Sequence, residues 1–428
     1  MDETHLLRDG CRRSRFLRWA RATLPGGLLL VRLAGQAQDR ESLAGEAAAQ
    51  ALKQSIAAEE YNLSLGPVRL RTEAALRLGY TDNVFYSDAG RREDYLVNPE
   101  IALRASLPIS DLNTLRLSLG LGYEWYLKNT ELNSDAPLIN PDTELVFHVF
   151  AGDFHIRLRD KFSYQESLFY DSGARFFNFT DVGKFSRWDN RAGLEVVWDL
   201  NKVILSAGYD HENFMPVTSS FEYLERASEW LNVAAAFPIG DQVQVGLEGQ
   251  GSRHDYATET TLNDNGRARG GPFIQLNSEQ KISLRAGGGY DTARFDAPAA
   301  GSDFEDYYAY VRLSQETRLF THALTAAREH LLGYNANNLK VTSVGYSIRS
   351  PAFRYLDVGA DLSVNFAEEF GGAFREEFTY YRAAAGIGWQ FHKNWRASLG
   401  YEFLLKKSDL PLRDLYRNQG TLELAFSY

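Results

Sequence analysis

Apolar and polar side chains alternate with a period of two from Pro67 to the end of the chain. The clearest alternating segments are residues 68–80, 115–125, 203–210, 395–403 and 421–428. Strict alternation is typical of a β-strand with one apolar face and one polar face. The predicted strands run roughly 11–16 residues, whereas a strand in a soluble protein usually has roughly 5–6.

The connections between these segments alternate in length. Turn-like joins fall at 108–113, 151–153, 199–202, 238–242, 277–281, 349–353 and 391–394, and longer polar stretches fall at 81–94, 127–141, 166–183, 255–264, 294–303 and 406–415. The faintest turn signal lies near Phe320. Short turns at one end and long loops at the other describe an antiparallel up-and-down meander of about 18 strands, within a range of about 16–20.

Two architectures use strands of this kind. In a soluble sandwich one face of each sheet is buried against a second sheet, and the strand order is usually Greek key. In a transmembrane barrel the apolar face meets lipid and the charged face meets water. Roughly ten strands carry charged residues on one face, which a soluble core could not bury. The sequence therefore predicts an all-β, antiparallel up-and-down transmembrane β-barrel over residues 66–428.

The last eight residues fit this architecture, because Leu422, Leu424, Phe426 and Tyr428 share one face. In lipid every backbone group must be paired, so we expect the last strand to pair with the first. Together with Tyr416, these residues resemble the C-terminal signal by which outer-membrane proteins are delivered to the barrel-assembly machinery. We therefore expect a location in the bacterial outer membrane, with the membrane lipid and that machinery as partners.

The N-terminal region predicts export. Five arginines from Arg12 to Arg21 precede a short apolar run that ends at Ala37, which is the pattern of a secretory signal peptide over residues 1–37. Residues 38–65 are predicted to form a periplasmic helix and linker, because residues 40–60 are rich in helix-forming Ala, Glu, Gln and Lys. This short helix is a candidate contact for periplasmic export components.

Composition excludes several function classes. The only cysteine, Cys11, lies in the predicted signal peptide, so the mature chain would have no thiol for disulfides, zinc binding or catalysis. A net charge of -10 argues against nucleic-acid binding. Aromatic residues make up 13% of the chain, and those near predicted strand ends are candidates for the two interfacial girdles of a membrane barrel: Tyr80, Phe85, Trp125, Trp198, Phe237, Trp389, Phe391, Trp395 and Tyr428.

Charged residues on the polar face are expected to line the lumen. The candidates are Arg69, Arg71, Glu73, Arg77, Arg104, Arg116, Glu124, Arg157, Arg159, Glu195, Glu248, Asp361 and Glu402. Barrels of about 16–18 strands leave an aqueous channel unless a segment plugs them, and residues 166–183 are the best candidate for a plug. The charges would either select solutes or simply pair with one another and keep the interior wet.

A search for catalytic and ligand-binding motifs favours a protein that is not an enzyme and holds no cofactor. The sequence contains neither HExxH nor GxSxG, and its histidines are scattered. The "NDNG" stretch at 263–266 lacks the later acidic ligands of a calcium loop and is interpreted as a turn. The glycines of "LRAGGGYD" (284–291) lie within a strand, which excludes a phosphate loop.

Three stretches, 76–108, 151–167 and 187–214, resemble the β-barrel porin 2 family of Gram-negative outer-membrane proteins. The most characteristic part is "YTDNVF" (80–85) at a strand end, followed by an extended strand after Asn98-Pro99. The resemblance implies an outer-membrane barrel. Because some relatives accompany exopolysaccharide or exosortase systems, it also implies a part in polysaccharide export. It carries no catalytic residues.

Three functional hypotheses follow. The leading one is a porin-like channel that passes hydrophilic solutes or a secreted polymer by passive diffusion. The alternative is a closed barrel that serves as a scaffold or partner in exopolysaccharide export. The third is an enzyme at the barrel rim, which would need a Ser/His/Asp or Asp/His cluster among the loops.

Overall fold

A computed structural model of the chain describes residues 61–110, 113–166, 178–180, 182–258, 262–278, 281–296, 302–353 and 355–428. The predicted signal peptide (1–37) and the predicted helix at 40–60, with the export partners assigned to that helix, lie outside these residues. Within these ranges, no helix combines the length and the apolar character that crossing a membrane requires.

The described residues form 21 strands in one sheet. They are β1 Leu63–Leu65, β2 Val68–Thr81, β3 Asp94–Pro108, β4 Thr114–Gly122, β5 Trp125–Tyr126, β6 Leu138–Ile139, β7 Glu144–Ala151, β8 Phe154–Gln165, β9 Arg187–Asp199, β10 Ile204–Pro216, β11 Arg226–Ile239, β12 Val243–Tyr256, β13 Asn265–Ser278, β14 Ile282–Phe295, β15 Phe304–Glu316, β16 Thr321–Leu332, β17 Asn338–Phe353, β18 Leu356–Phe370, β19 Glu376–His392, β20 Trp395–Ser408 and β21 Leu415–Ser427. Short 3-10 helices lie at Thr130–Leu132 and Ser219–Leu224.

The long strands close into a barrel. Among the described residues, 18 strands (β2–β4 and β7–β21) form an antiparallel ring, with successive long strands as neighbours. The ring closes between β2 and β21, where Leu78 lies opposite Leu422 and Arg77 lies opposite Glu423. The predicted up-and-down barrel of about 18 strands is confirmed, as is the pairing of the last strand with the first.

The closing seam is completed by the N-terminal hairpin. Strand β21 pairs with β2 from Thr81 down to Glu73, and the backbone N–H of Tyr428 donates to the Thr72 carbonyl at 3.1 Å. Below that point β1 pairs with residues 68–70 of the same strand. Backbone groups along this edge of β2 therefore have partners down to the turn. The predicted linker at 38–65 thus ends in a strand that belongs to the sheet.

The two faces of the strands differ in exposure as the alternation predicts. On β2, Leu76 and Leu78 are 41% and 42% exposed, whereas the side chain of Arg77 between them is 17% exposed. The same contrast recurs on β21, where Leu422 and Leu424 are exposed and Glu423 is buried. Apolar side chains point outward, where only lipid can cover them, and charged side chains point into the barrel.

Short turns and long loops segregate to opposite ends. Gly152 and Gly240 adopt positive φ in the tight turns after β7 and β11, which glycine tolerates without strain. We call the other end of the lumen, with the long loops, the mouth; in outer-membrane barrels it faces outside the cell. Of the girdle candidates, Trp198, Phe237 and Trp389 are exposed near the short turns. Phe85 instead packs against a buried loop cluster.

Candidate functional site: the lumen and its mouth

The lumen at the short-turn end contains a cavity of about 1100 Å³. Arg71, Glu73, Arg77 and Arg104 are among the residues that line it. Arg71 Nε lies 2.8 Å from Glu73 Oε1, and Arg104 Nη1 lies 3.5 Å from the same oxygen. Strands β2 and β3 bring these charges together because their polar faces both turn inward.

Arg77 connects three strands across the seam. Its Nε donates to Glu423 on β21 at 2.6 Å, and its Nη1 donates to Glu100 on β3 at 2.6 Å. The same nitrogen lies 3.4 Å from the Asn98 side-chain oxygen. One guanidinium thus holds the first, second and last long strands together at the point where the barrel closes.

A second group of predicted residues meets on β8, β9 and β10. Arg157 Nη2 lies 2.5 Å from Glu195 Oε2, and Arg159 Nη2 lies 2.6 Å from Asp210 Oδ1. Arg191 also reaches Asp210, at 3.2 Å. Asp210 is fully buried between two arginines, so the charges on this wall compensate one another.

Glu248 and Asp361 also have partners inside the barrel. Glu248 accepts hydrogen bonds from Arg285 at 3.0 Å and from the Tyr310 hydroxyl at 2.9 Å. Asp361 lies 3.3 Å from Arg349. These carboxylates are held by cations on nearby strands, which neutralises the wall locally.

Glu402 is held between two arginines: Arg382 and Arg417 each approach it to 2.6 Å. The observed ion pairs agree with the simpler of the two interpretations of the lumen charges, in which they mainly pair with one another. They leave the wall locally neutral.

The remaining candidates, Arg69, Arg116 and Glu124, lie on or beside strands β2, β4 and β5. Arg69 stacks on the Tyr61 ring, with its guanidinium carbon 5.3 Å from the ring centroid, and Arg116 lies on β4. Glu124 lies between β4 and β5 and is 3% exposed. It accepts a hydrogen bond from the Tyr126 hydroxyl at 3.2 Å. The strand predicted to carry Glu124 ends at Gly122, so this carboxylate is enclosed by loop residues.

The mouth contains an apolar core built by loops. Its buried members come from four connections and the adjoining strand ends: Phe179, Phe185, Phe214, Phe221, Leu224, Tyr256, Leu262 and Tyr334. The rings of Phe179 and Tyr334 meet edge to face at 5.4 Å between centroids. Burial, with the nearby Glu369 carboxylate, raises the pKa of the adjoining loop residue Tyr223 to about 12. Rings from facing loops therefore pack together across the mouth.

Asn178 is the polar centre of this arrangement. It follows β8 in the β8–β9 loop and is fully buried. Its side-chain amide donates to Glu369 Oε2 and to Glu376 Oε2, each at 2.6 Å. Lys406 Nζ donates to its side-chain oxygen at 2.5 Å. Every polar atom of this side chain has a charged partner, so each bond is of the stronger, charge-assisted kind.

These partners stand on the opposite wall. Glu369 lies on β18, Glu376 on β19 and Lys406 on β20. In the ring of 18 strands β18 is nine places from β9, which is half of the circumference. The described part of the β8–β9 loop therefore crosses the diameter of the mouth. Residues 166–183 were the predicted plug, and residues 178–180 make this crossing.

The acceptors of Asn178 are fixed by further contacts. Lys406, itself fully buried, donates to Glu376 at 2.6 Å, and Arg413 Nε lies 2.9 Å from the same carboxylate. Arg413 also donates to the backbone carbonyl of Asn178 at 3.0 Å. Two cations and two carboxylates surround the amide, so the cluster is close to neutral despite its burial.

The β16–β17 hairpin also reaches into the mouth. The β15–β16 ladder ends at the pair Ala309–Arg328, although both strands continue beyond it. Above this point His330 stacks on Phe304 at 4.1 Å, and Arg328 donates to Asp306 at 2.5 Å. Side chains on the outer face of β16 thus meet side chains on the inner face of β15. This geometry shows that the tip of the hairpin leans into the lumen.

Polar contacts join the leaning hairpin to the loop that crosses the mouth. The side-chain amide of Asn335 donates to the Asn178 carbonyl at 2.9 Å. The backbone N–H groups of Tyr334 and Asn335 each donate to Glu369 at 2.5 Å. Glu369 therefore binds both inward-leaning segments, and the lumen narrows where they meet.

The described residues show no arrangement that points to catalysis. Within them, no group of three or more His, Cys, Asp and Glu side chains is placed to hold a metal ion. His254 lies between the hydroxyls of Ser228 and Ser252 at 2.8 and 2.9 Å, but it is fully buried. His148 and His155 face each other at 3.1 Å inside the wall.

The sequence did not predict which individual residues meet at the mouth. Glu369 and Lys406 lie 191 and 228 positions after Asn178 in the sequence, on different strands. A signal was present in the length and aromatic content of residues 166–183, and that signal identified the segment. No local pattern marks which asparagine in it would find two carboxylates.

A closed ring of 18 strands with an apolar outer face and charged interior is the architecture of an outer-membrane β-barrel. The protein resides in the bacterial outer membrane.

Comparison with protein families matches residues 228–428 to the model of the type IX secretion system membrane protein PorP/SprF. The matched region begins in β11 and runs to the end of the barrel. The chain is thus similar over its C-terminal part to this family. No curated protein matches the sequence.

Similar solved structures include OpdK of Pseudomonas aeruginosa, at 11% identity and a TM-score of 0.47, with 84% of this chain and 99% of that chain covered. OccK9 (OpdG) of the same species gives 10% identity and a TM-score of 0.49, with 84% and 98% covered. A BenF-like porin of Pseudomonas fluorescens Pf-5 gives 11% identity and a TM-score of 0.49, with 84% and 99% covered.

Proposed function

We propose that the protein is a channel for small hydrophilic solutes, narrowed at the mouth by the β8–β9 loop and the β16–β17 hairpin. The polar lumen wall and the cavity at the short-turn end support this function. The observation that carries it is the crossing of the mouth by Asn178, because a segment spanning the diameter limits what passes. The narrow mouth favours small solutes over a secreted polymer.

In this proposal the loop restricts flow without sealing the barrel permanently. The Asn178 side-chain amide is held by three charged partners, Glu369, Glu376 and Lys406, each of which it can exchange for water when the loop moves. Ion pairs such as Arg77–Glu100 and Arg157–Glu195 make the wall of the lumen below polar, which favours water in the lumen. The described chain supports no enzymatic chemistry, and we infer that the protein is not an enzyme.

The proposal is tested with the mature protein reconstituted in a planar lipid bilayer. We expect stepwise ion currents of small amplitude, and swelling of proteoliposomes in small sugars but not in large oligosaccharides. A protein that inserts and shows heat-modifiable migration on gels, yet carries no current at all, would overturn the channel function.

A second candidate is a structural role in a type IX secretion assembly. The match of residues 228–428 to the PorP/SprF model favours it. The two functions are separated by deleting the gene in the native bacterium. Loss of proteins from the cell surface with normal solute uptake would support the secretion role, and the reverse pattern would support the channel. An equivalent role in exopolysaccharide export predicts loss of the polymer in the same deletion strain.

We further infer that the partners include the outer-membrane lipid and the barrel-assembly machinery. The exposed apolar face supports contact with lipid, because water would not solvate it. Leu422, Leu424 and Phe426 share the outer face of the last strand, and the exposed Tyr428 follows its end, where an assembly factor can reach them.

A further inference from the structure

Glu329 is a buried carboxylate whose charge is not compensated by a direct contact. It lies on β16 two residues beyond Ala327, which pairs with the lumen-facing Tyr310, so it shares the inner face of the strand. Glu329 is 8% exposed. Among the residues that the structure describes, it accepts no hydrogen bond and forms no ion pair.

An uncompensated carboxylate in a barrel wall is costly, because burial removes its hydration without supplying a counter-charge. Other acids around it have partners. Asp306 accepts from Arg328 at 2.5 Å, and Glu248 is held by Arg285. Glu329 therefore stands out as the carboxylate with capacity to bind a cationic group.

Arg269 is the complementary cation. It lies on the inner face of β13, opposite Asp291, and stacks on Tyr308 with its guanidinium carbon 5.4 Å from the ring centroid. In the described part of the chain its guanidinium makes no hydrogen bond and no ion pair. The β15–β16 ladder ends at Ala309–Arg328, and Tyr308 and Glu329 are the next residues along the two strands, so Glu329 lies near the ring on which Arg269 stacks. A carboxylate and a guanidinium thus face one region of the lumen.

Tyr308 provides a fixed surface between them. The side chain is buried, and its hydroxyl lies 3.3 Å from Glu248, which sets the orientation of the ring. Gly289 lies opposite Tyr308 on the neighbouring strand β14. A Cβ at Gly289 would lie 2.0 Å from the Gly270 carbonyl oxygen. Glycine is therefore required at Gly289, and its lack of a side chain keeps the wall beside the tyrosine open.

We propose that Glu329 and Arg269 form a binding site for small zwitterions, namely free amino acids and dipeptides. The ammonium group of the ligand would bind Glu329, and its carboxylate would bind Arg269 beside the Tyr308 ring. A simple anion would leave Glu329 uncompensated, and a simple cation would be repelled by Arg269 and Arg312. The inference rests on the proposed channel function, whose substrate class it names.

Binding is tested without any measurement of current, by saturation-transfer difference NMR on the mature protein in detergent micelles. The probe is diglycine, and the comparison ligands are N-acetyldiglycine, which lacks the ammonium group, and diglycinamide, which lacks the carboxylate. We expect saturation transfer to diglycine and about tenfold weaker binding of each derivative, the size of one lost charge-assisted contact.

The variants Glu329→Gln and Arg269→Gln should each weaken diglycine binding by about tenfold. Glu305→Gln is the matched control, because Glu305 pairs with Arg294 on the exposed rim and should leave binding unchanged. Heat-modifiable migration on gels verifies that each variant is folded. Equal binding of all three ligands, or wild-type binding by both lumen variants, would overturn the site.

The outcomes also separate this inference from the channel function. Ion current without selective diglycine binding overturns the zwitterion site and leaves the channel standing. Selective binding without current overturns the channel and leaves the site standing.

Discussion

The side-chain amide of Asn178 donates a 2.6 Å hydrogen bond to Glu376, which stands on the far wall of the barrel. Asn178 lies in the loop before β9, and Glu376 lies on β19, eight strands from β9 around the 18-strand ring. A single buried amide therefore connects a loop to the wall that it faces. The same side chain also donates to Glu369 and accepts from Lys406, and the Asn178 backbone carbonyl accepts from Arg413 and Asn335.

Substitution of Arg77 is expected to weaken the closing seam. Arg77→Ala removes the bonds to Glu423 and Glu100 and leaves two carboxylates facing each other. We expect a loss of about 1–3 kcal/mol in the free energy of unfolding, below the full cost of breaking a buried pair because lumen water solvates the remaining charges. The unfolding temperature, read from heat-modifiable migration on gels, measures it.

Arg104→Ala is the matched control for Arg77. Its guanidinium is 34% exposed and lies 3.5 Å from Glu73, so its removal should cost less than the removal of Arg77. Equal unfolding temperatures for the two variants would show that the Arg77 ion pairs stabilise the barrel no more than the Arg104 pair does.

The outer face of the terminal strand is expected to determine assembly. Phe426 packs on Trp395 with ring centroids 4.9 Å apart, and Tyr428 is exposed. The double variant Phe426→Ala, Tyr428→Ala removes both rings and should reduce the amount of folded barrel in the outer-membrane fraction. Ser427→Ala, which changes the inner face, should leave that amount unchanged. A wild-type amount of folded double variant in the outer-membrane fraction would contradict the proposed assembly signal.

The loop between β20 and β21 is expected to loosen in acid. A hydrogen bond from Lys407, together with one from the Ser408 backbone, holds the pKa of Asp414 below its usual value. A depressed carboxylate pKa stabilises the folded loop above the unfolded value of about 3.9, and that contribution disappears as the pH falls through the lower folded value.

Hydrogen exchange of the peptide that covers residues 409–414 measures this effect. After correction for intrinsic rates, its protection should be constant from neutral pH to about pH 4 and should fall below that. The effect will be small, because the pair is partly exposed to solvent. Asp414→Asn cannot ionise, so protection that falls equally in this variant would contradict the assignment.

The fold was predictable from the sequence because its main signal is local. Leu76, Arg77 and Leu78 already specify which face meets lipid, and the same rule repeated along the chain gives the strands. The weak turn signal near Phe320 proved to be the turn between β15 and β16. The short strands β5 and β6 escaped prediction because two residues carry no periodicity.

The mouth and the zwitterion site were less predictable, because both depend on contacts between distant segments. The length of residues 166–183 indicated a loop that could fold inward, but the partners of Asn178 come from three strands and two loops. Glu329 and Arg269 resemble every other inward charge in the sequence. Only the three-dimensional arrangement shows which charges have a partner in the wall, as Arg77 does, and which do not.

The central claim, that Asn178 holds a constriction across the mouth of a channel, is tested most directly by single-channel recording of Asn178→Ala beside the wild type. Asn277→Ala, at the short-turn end, is the matched control. We predict a small wild-type conductance, an unchanged control and a larger, noisier conductance for Asn178→Ala, because the loop loses its bonds to Glu369 and Glu376. Identical conductance in all three folded proteins would contradict the claim.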